Sequence, residues 1–275
     1  MSTIPFYKMS GAGNDFIIID NRKGIVPTEN YAGFARRICR RRMSVGADGL
    51  FLLEESDRAD FKWQFHNSDG SIAEMCGNGA RCVARFAWLT GMTGADLCFE
   101  TLAGIIKANV RDDQVKIRMT DPENLVLDAS VGLSSGDLTF SAVNTGVPHV
   151  VVEIDNIENV EVFSLGREIR QHPRFMPEGT NVNFIAPLEK GLYAIRTYER
   201  GVEDETLACG TGNVAAALIL AAKYGLSSPV PLKTRSSTLL KVHFSHDSDN
   251  WSDVYLEGDA RVVYVGEMGV EAWTY

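Results

Sequence analysis

Two cysteines stand in the same short motif, one in each half of the chain. Cys76 opens the run Cys-Gly-Asn-Gly-Ala-Arg-Cys, and Cys209 opens the run Cys-Gly-Thr-Gly-Asn-Val-Ala. The glycines are expected to let the backbone turn sharply and to let a ligand approach it closely. A helix that begins after each motif would present unpaired N–H groups and the positive end of its dipole. Such a helix start binds a carboxylate or a phosphate and lowers the pKa of a cysteine placed there.

Three roles are open to Cys76 and Cys209. In the first role they are small buried residues at helix starts, since cysteine is among the most buried residue types. In the second role they are a redox pair that forms a disulfide. In the third role they are a pair of acid and base groups that face one substrate. In the third role a thiolate takes the α-proton of an amino acid from one face, and a thiol returns a proton to the other face. This inverts the stereocentre by general acid–base catalysis without a cofactor.

An internal repeat favours the acid–base pair. The two motifs are 133 positions apart, and three other pairs of segments keep this spacing without a gap. In one of these pairs, His66-Asn67 falls opposite Glu199-Arg200. Two equivalent half-sites would present one thiol to each face of a substrate that lies between them. Their two helix starts would hold the α-carboxylate and stabilise the developing carbanion.

Other polar residues near the motifs have both a structural and a functional interpretation. One interpretation of Glu199 and Arg200 is a surface ion pair. The other is that they bind substrate, because they lie shortly before Cys209 and within the repeat. Near the start of the repeat the spacing drifts to about 135, which makes His149 the counterpart of Asn14 and favours a role in the site. Three asparagines lie at predicted turns, where this residue commonly serves the backbone alone: Asn14, Asn67 and Asn181.

Hydrophobic patterning predicts the same elements in both halves. Apolar runs bounded by turn residues predict strands at 17–19, 49–53, 61–66 and 150–154. Apolar residues at helical spacing predict an amphipathic helix over 31–39, and helices are predicted at 80–89 and 213–224 after the two motifs. The last helix is apolar nearly all round and is predicted to be buried. Strand-rich, non-alternating segments around one buried helix per half indicate the α+β class.

The composition disfavours several classes of protein. The 275 residues include 27 Lys and Arg against 36 Asp and Glu, a formal charge of -9, so we expect no nucleic-acid partner. The arginines at 36, 37, 40, 41 and 42 are interpreted as the solvated face and end of a helix. No secretory signal is visible, and the longest apolar run, Val214–Ala222, is about half a membrane span. Five cysteines without Cys-x-x-Cys spacing predict a reducing, cytoplasmic location and no metal site.

Several runs together resemble the diaminopimelate epimerases, a family of amino-acid epimerases that do not use pyridoxal phosphate. The resemblance extends over essentially the whole chain. The Cys-Gly-x-Gly pair alone is shared with proline racemase-like proteins, whereas the runs at 75–82 and 198–201 are much more specific in combination. The matching runs are Lys8-Met-Ser-Gly-Ala-Gly-Asn-Asp-Phe16, Phe65-His-Asn-Ser-Asp-Gly-Ser71, Met75-Cys-Gly-Asn-Gly-Ala-Arg-Cys82, Gly179-Thr-Asn-Val182, Tyr198-Glu-Arg-Gly201 and Ala208-Cys-Gly-Thr-Gly212.

The resemblance implies an activity and a set of site residues. It implies interconversion of LL- and meso-2,6-diaminopimelate, a step of lysine and peptidoglycan precursor synthesis, without a cofactor and with the amino acid as the small-molecule partner. Cys76 and Cys209 match the two bases, and His149 and Glu199 match residues that tune the thiols. The positions that match substrate-binding residues are Asn14, Asn67, Gly77, Asn78, Asn181, Glu199, Arg200, Gly210 and Thr211.

The resemblance also implies a fold. It implies two pseudo-symmetric, β-barrel-like halves, each around a central buried helix, with the active site in the cleft between them. The C-terminal strand returns to the first half, so we expect one domain at 1–119 with about 264–275 and a second at 120–263. Because many members of the family dimerise, we expect a homodimer.

One position departs from the family pattern. Many members have Gly-Asn-Pro-His where this chain has Gly146-Val-Pro-His149, so Val147 lacks an amide that contacts substrate. A racemase of another amino acid, of the proline or histidine type, is therefore an alternative. The alternative outside the enzymes is a non-catalytic amino-acid-binding protein.

Overall fold

The computed structural model of the protein describes residues 3–189, 191–247 and 250–275. The chain divides into two compact units, Met1–Ile117 with Asp259–Tyr275 and Arg118–Gly258. It thus returns to the first unit at residue 259, before the predicted boundary at 264. The reason is that the last strand, Arg261–Gly269, pairs along its whole length with the first strand, Thr3–Gly11, and so belongs to the first unit entirely.

Helices and strands follow each other in an α+β order. The helices are α1 (Tyr31–Ile38), α2 (Gly77–Leu89), α3 (Val162–Arg170), α4 (Gly210–Tyr224) and α5 (Glu271–Thr274). The strands are β1 (Thr3–Gly11), β2 (Asn14–Asp20), β3 (Gly49–Glu54), β4 (Phe61–Asn67), β5 (Asp96–Thr101), β6 (Gly104–Arg111), β7 (Gln114–Arg118), β8 (Glu123–Leu133), β9 (Gly136–Asn144), β10 (Pro148–Glu153), β11 (Asn181–Glu189), β12 (Leu192–Glu199), β13 (Asp204–Thr206), β14 (Val230–Lys233), β15 (Leu239–Asp247), β16 (Asn250–Asp259) and β17 (Arg261–Gly269).

In the first unit the strands surround α2. Strand β2 lies parallel to β3, which is antiparallel to β4. Strand β1 pairs antiparallel with both β2 and β17. Helix α2 packs against β1, β2 and β6, and its residues 80–84 are fully buried. The helix that follows Cys76 is therefore the central helix of this unit.

The second unit repeats this arrangement around α4. Strand β10 lies parallel to β11, which is antiparallel to β12. Helix α4 packs against β9, β10, β11 and β14, and its residues 213–220 are at most 1% exposed. The predicted burial of this helix and the α+β class are confirmed. Over the described ranges, none of the helices combines the length and apolarity that a membrane span needs.

Both central helices begin three residues earlier than predicted, at Gly77 and Gly210 rather than at 80 and 213. The expected sharp turn at the glycines is wrong, because Gly79 and Gly212 lie inside the first helical turn. Their lack of a side chain serves packing instead. A Cβ on Gly79 would lie 2.6 Å from Cε2 of Phe51, and a Cβ on Gly212 would overlap the amide oxygen of Asn183.

Candidate active site

Cys76 occupies the N-terminal cap of α2. Its backbone is extended, with φ -146° and ψ 113°, and its Sγ accepts a hydrogen bond from the Gly79 N–H at 3.4 Å. The side chain is partly exposed. The helix dipole and the N–H groups of the first turn stabilise negative charge at such a position. Cys76 therefore lies where a thiolate is favoured and where the same helix start can hold a carboxylate.

Asn78 links the first turn of α2 to β2. Its side chain is 4% exposed and donates from Nδ2 to Asn14 Oδ1 at 2.7 Å. Asn14 in turn donates from Nδ2 to Asp48 Oδ2 at 3.2 Å. The structure thus brings together two predicted binding residues, Asn14 and Asn78, and fixes the orientation of both amides.

Sequence reasoning misses an ion cluster beside Asn14. The Lys8 Nζ lies 2.7 Å from Asp15 Oδ2, and the Arg41 guanidinium lies 2.5 Å from Asp15 and 2.9 Å from Asp48. Burial opposes ionisation of Asp15, but hydrogen bonds from Arg41 and Lys8 outweigh it and lower the pKa to about 2. Arg41 is therefore more than part of a solvated helix face, because it joins both carboxylates. The signal in the sequence was the pair of opposite charges at the two ends of the run from Lys8 to Asp15.

Asn67 ends β4 in a tight turn. Its Nδ2 donates to Ser71 Oγ at 3.0 Å, and Ser71 Oγ donates to Asp69 Oδ1 at 2.6 Å. This is the backbone-supporting role that asparagine commonly has in turns. The binding role of Asn67 stays a prediction.

Cys209 caps α4 as Cys76 caps α2. Its backbone is extended, with φ -112° and ψ 115°, and its Sγ lies 3.4 Å from Thr211 Oγ1. The Asn213 amide donates to the Cys209 carbonyl at 2.7 Å, and Thr145 Oγ1 donates to the Thr211 carbonyl at 3.2 Å. These contacts fix the first turn of α4, which contains the predicted binding residues Gly210 and Thr211.

His149 is buried at the start of β10, with 1% of its surface exposed. Burial, aided by the positive charge of Arg200, lowers the pKa of the imidazole to about 3. Its Nδ1 lies 3.1 Å from the Asn183 amide nitrogen. At neutral pH the ring is therefore uncharged and held by a neighbouring strand.

Asn181, Glu199 and Arg200 come together at the ends of β11 and β12. The Asn181 Oδ1 accepts from the Arg200 backbone N–H at 2.9 Å, and its Nδ2 donates to the Pro148 carbonyl at 3.1 Å. The Arg200 guanidinium donates to the Glu178 carbonyl at 2.9 Å. Burial raises the pKa of the Glu199 carboxyl. The second unit thus brings Asn181 next to the adjacent pair Glu199 and Arg200.

The other three cysteines lie outside these two groups. Burial raises the pKa of Cys39 and of Cys82 to about 12, so both remain thiols at neutral pH. Cys98 lies in β5. Within the described ranges, no group of three or more His, Cys, Asp or Glu side chains is placed to hold a metal ion. Independence from metals and cofactors stays a prediction.

Similarity to known proteins extends over nearly the whole chain. The sequence profile of the family described as diaminopimelate epimerase matches residues 6–126 and 141–263. The diaminopimelate epimerase of Aquifex aeolicus (strain VF5) is 43% identical over 286 residues, which cover 98% of this chain and 99% of the relative. The chain belongs to the diaminopimelate epimerase family. The diaminopimelate epimerase of Archaeoglobus fulgidus is 40% identical over 286 residues, with 99% of each chain covered.

The fold of this diaminopimelate epimerase family member is shared with solved structures of low sequence identity. A Bacillus anthracis phenazine biosynthesis protein of the PhzF family has a TM-score of 0.73 at 16% identity, covering 98% of this chain and 100% of that one. A hydroxyproline epimerase from Agrobacterium vitis has a TM-score of 0.67 at 18% identity, covering 98% and 93%. At these identities the likeness concerns the fold alone, and it agrees with the α+β class.

The strand register corrects one pairing of the repeat in this diaminopimelate epimerase family member. Residue 16 lies opposite residue 49 in the β2–β3 pair, and residue 150 lies opposite residue 182 in the β10–β11 pair. Residues 49 and 182 are 133 positions apart, which is the spacing of the two motifs. Residues 16 and 150 therefore correspond, so β2 and β10 are related by a spacing of 134 positions and not by the 135 expected from the sequence. The counterpart of His149 is therefore Asp15 rather than Asn14.

A contact at each central helix supports the corrected pairing. Thr145 donates to the Thr211 carbonyl in the second unit. At the corrected spacing its counterpart is Gly11, where a Cβ would lie 2.9 Å from the carbonyl oxygen of Asn78, the counterpart of Thr211. The two half-sites of the diaminopimelate epimerase family member thus share a backbone plan but differ in charge, with Asp15 in one and a neutral His149 in the other.

Proposed function

We propose that this chain interconverts LL- and meso-2,6-diaminopimelate, with Cys76 and Cys209 as the two bases. The observation that carries the proposal is that each cysteine caps a buried central helix in the same extended conformation, once in each unit. A packing role does not require either cysteine to cap a helix. Membership of the diaminopimelate epimerase family supports the choice of substrate.

The reaction transfers a proton through a carbanion. The thiolate of one cysteine removes the proton from the α-carbon and becomes a thiol, which leaves the electron pair on that carbon. The thiol of the other cysteine donates its proton to the opposite face and becomes the thiolate. In the reverse direction the cysteines exchange roles, which is why two groups of the same type suit the reaction.

The first turns of α2 and α4 hold the α-carboxylate in this proposal. Gly77 and Asn78 in one turn, and Gly210 and Thr211 in the other, carry backbone N–H groups at the positive end of a helix dipole. The same groups stabilise the negative charge that spreads onto the carboxylate as the carbanion forms. The helix starts thereby supply the electrostatic stabilisation that a cofactor would otherwise provide.

Asn14 supports this end of the substrate through its hydrogen bond with Asn78. Asn67, Asn181 and Arg200 bind the distal amino-acid end, where a guanidinium suits the second carboxylate. His149 and Glu199 tune the thiols in this proposal. Burial shifts the pKa of each toward its uncharged form, so neither adds a strong competing charge.

Exchange of the α-proton with heavy water tests the proposal. Reduced protein is incubated in deuterium oxide with LL-diaminopimelate, and separately with meso-diaminopimelate, proline, histidine and glutamate. We expect deuterium at the α-carbon of diaminopimelate alone. Exchange with proline or histidine instead would identify a racemase of another amino acid. Binding of diaminopimelate without exchange would identify a binding protein, and either result would overturn the proposal.

We also place the protein in the cytoplasm, as a homodimer that acts in lysine and peptidoglycan precursor synthesis. Support for a second copy lies on β17, where Val263, Tyr264 and Val265 are 56%, 44% and 58% exposed. Adjacent exposed apolar side chains of this kind are typical of a subunit interface. Light scattering after gel filtration is expected to give about twice the chain mass of 30.2 kDa. A monomer at micromolar concentration would contradict the dimer.

A further inference from the structure

Glu203 has a left-handed backbone, with φ 59°, in the turn that directly follows Arg200. Its N–H donates to the Glu199 carbonyl at 2.8 Å, which closes the turn around Arg200. At the spacing of the two motifs the counterpart of Glu203 is Gly70, whose φ is 82°. Residues other than glycine seldom adopt this conformation. A glycine would suffice for the turn, so the glutamate at 203 is expected to serve through its side chain.

The Glu203 carboxylate contacts both sides of Arg200 along the chain. Its Oε1 accepts from the Gly201 N–H at 3.0 Å and lies 3.1 Å from Arg170 Nη2. Its Oε2 accepts from the Tyr198 hydroxyl at 3.3 Å. The hydrogen bond from Gly201, together with the charge of Arg170, lowers the pKa of the Glu203 carboxyl, which is therefore ionised at neutral pH. The ionised side chain thus fixes the backbone before and after Arg200.

Arg170, the last residue of α3, also contacts the segment that holds the other end of Arg200. The Arg200 guanidinium donates to the Glu178 carbonyl at 2.9 Å. The next residue, Gly179, has φ 67°, and a Cβ there would overlap Arg170 Nη1. The Arg170 side chain is 19% exposed. Arg170 therefore joins the segment at 178–179 to the carboxylate of Glu203, and Arg200 is held at both places.

Helix α3 gives Arg170 a fixed starting point. Gly166 lies one helical turn before Arg170, on the same face of the helix. A Cβ on Gly166 would lie 2.5 Å from Cβ of Tyr198, which is 1% exposed. The helix backbone thus lies directly against β12, the strand that leads to Arg200. The position of Arg170 is set by this packing.

The first unit uses the corresponding arginine differently. The counterpart of Arg170 is Arg37 in α1, whose Nη1 donates to the Trp273 carbonyl at 2.9 Å. Opposite Arg200 stands Asn67, which has a short side chain. An arginine has many rotamers to lose when it is held in one place. The contacts of Glu203 and Arg170 therefore occur beside the longer and more flexible of the two predicted binding residues.

We propose that Glu203 and Arg170 are positioning residues that hold Arg200 ready for the distal carboxylate of the substrate. Glu203 fixes the turn that carries Arg200, and Arg170 connects this turn to the carbonyl that holds the guanidinium. Because Arg200 is ordered before the substrate arrives, less side-chain freedom is lost on binding. The inference rests on the proposed function, and it adds two residues that lie outside the predicted site.

Steady-state kinetics on LL-diaminopimelate test this inference with two substitutions of Glu203. Glu203→Gln removes the charge at nearly constant size, and Glu203→Gly removes the side chain but suits the left-handed backbone. Each is expected to raise KM by about tenfold or more, the size of a lost charge-assisted contact. We expect kcat to change by less than about threefold, because the distal carboxylate is bound alike in the ground state and the transition state.

Glu168→Gln is the matched control for these variants. It is the same substitution on α3, at a carboxylate that accepts from the Ser134 N–H, and it should leave KM and kcat unchanged. If Glu203→Gln does not fold, as judged by circular dichroism, Glu203→Gly decides the matter. A folded Glu203→Gly protein with the wild-type KM, or with a fall in kcat alone, would overturn the inference.

Substitution of Arg170 tests whether the two residues act together. Arg170→Met is expected to raise KM as Glu203→Gln does, and Arg170→Lys, which keeps the charge, should raise it less. The double variant of Glu203→Gln and Arg170→Met should raise KM no more than the larger single effect, because both act through Arg200. Effects on KM that multiply in the double variant would contradict a shared role.

The mobility of Arg200 provides a measurement that needs no turnover. In ¹⁵N NMR of the substrate-free protein, the Nε–H signal of Arg200 is identified by its loss in Arg200→Lys. A held side chain has a high heteronuclear NOE, which we expect to fall in Glu203→Gln but not in Glu168→Gln. This fall without deuterium exchange into diaminopimelate would count against the proposed function alone. Normal exchange with an unchanged NOE and KM would count against Glu203 and Arg170 alone.

Discussion

The imidazole of His149 accepts a hydrogen bond at Nδ1 from the side-chain amide of Asn183, 3.1 Å away. Asn183 also donates to the Val150 carbonyl at 2.9 Å and accepts from Thr197 Oγ1 at 3.0 Å, so its amide has a single orientation. Because Nδ1 is the acceptor, the neutral ring carries its proton on Nε2. A polar residue in the middle of a buried strand thus fixes the tautomer of a predicted site residue.

Asn183→Leu is expected to lower the free energy of unfolding by about 2 kcal/mol or more. The change leaves His149 Nδ1, the Val150 carbonyl and the Thr197 hydroxyl buried without their partner, at about 1–3 kcal/mol for an unsatisfied group. Urea unfolding measures the effect. Asn159→Leu, at an exposed position, serves as control and should change stability by less than about 0.5 kcal/mol. Equal effects of the two substitutions would refute this reading of Asn183.

His149 makes stability depend on pH. Its pKa is about 3 in the folded protein and 6.5 as an unperturbed group, so between these values the unfolded chain binds a proton that the folded chain does not. The free energy of unfolding therefore rises with pH across this window, by up to about 1.4 kcal/mol per pH unit. Urea unfolding between about pH 4.5 and 6.5 should show a flatter dependence for His149→Gln than for the wild type. Identical slopes would contradict the low pKa.

The carboxylate of Asp15 acts at lower pH. Its pKa is about 2 in the folded protein against 3.8 as an unperturbed group. Its contribution to the free energy of unfolding is therefore complete above pH 3.8 and is lost as the pH falls toward 2. The measurement on His149 therefore stays clear of this titration. Asp15→Asn should reduce stability at neutral pH, where Lys8 and Arg41 lose their shared anion, and the loss should shrink near pH 2. A loss that does not change with pH would argue against the ion cluster.

Two glycine substitutions should have opposite signs. Gly79→Ala places a methyl group against the Phe51 ring and is expected to destabilise by about 1–3 kcal/mol. Gly33→Ala places the same group in open space inside α1 and is expected to stabilise by about 0.5–1 kcal/mol. Thermal unfolding of the two variants and of the wild type measures both changes in stability. A stabilised Gly79→Ala protein would show that the motif glycines are not needed for packing.

The five cysteines should divide into two groups. Cys76→Ala and Cys209→Ala are each expected to abolish turnover, because each removes one of the two bases. Cys39→Ala, Cys82→Ala and Cys98→Ala should largely preserve it, as these residues lie outside the capped helix starts. Steady-state rates on reduced protein, with circular dichroism to confirm folding, measure the effect. Near-full activity of either Cys76→Ala or Cys209→Ala would rule out two bases.

Strong local patterns made much of the fold predictable. Apolar periodicity located the strands around 17–19 and 49–53 and the buried helix around 213–224 within a few residues. The helix starts differ from the prediction because glycine has a low helix propensity, whereas close packing against Phe51 and Asn183 requires a glycine at 79 and at 212 inside the helix. Tertiary contacts, which the local sequence does not show, decide these boundaries.

The candidate site was less accessible from the sequence. The two cysteines and the helix starts that follow them are predictable because the motif is repeated. The full burial of Arg81, inside the first motif, has no signal in the sequence, because arginine is seldom fully buried. The ion cluster of Lys8, Asp15 and Arg41 is not predictable from opposite charges alone, because the packing of the strands and of the turn after α1 decides which of them pair. The strand register of the structure identifies Asp15 as the counterpart of His149. Residue spacing in the sequence does not show a shift of one position within a strand.

The most direct test of the central claim is the position of deuterium early in the reaction. LL-diaminopimelate is mixed with reduced enzyme in deuterium oxide, and product and remaining substrate are analysed by mass spectrometry before equilibrium is approached. Two bases on opposite faces predict one deuterium at the inverted carbon of the meso product and none in the recovered LL substrate. A single base that serves both faces would return deuterium to the substrate and the product alike, and that result would contradict the account.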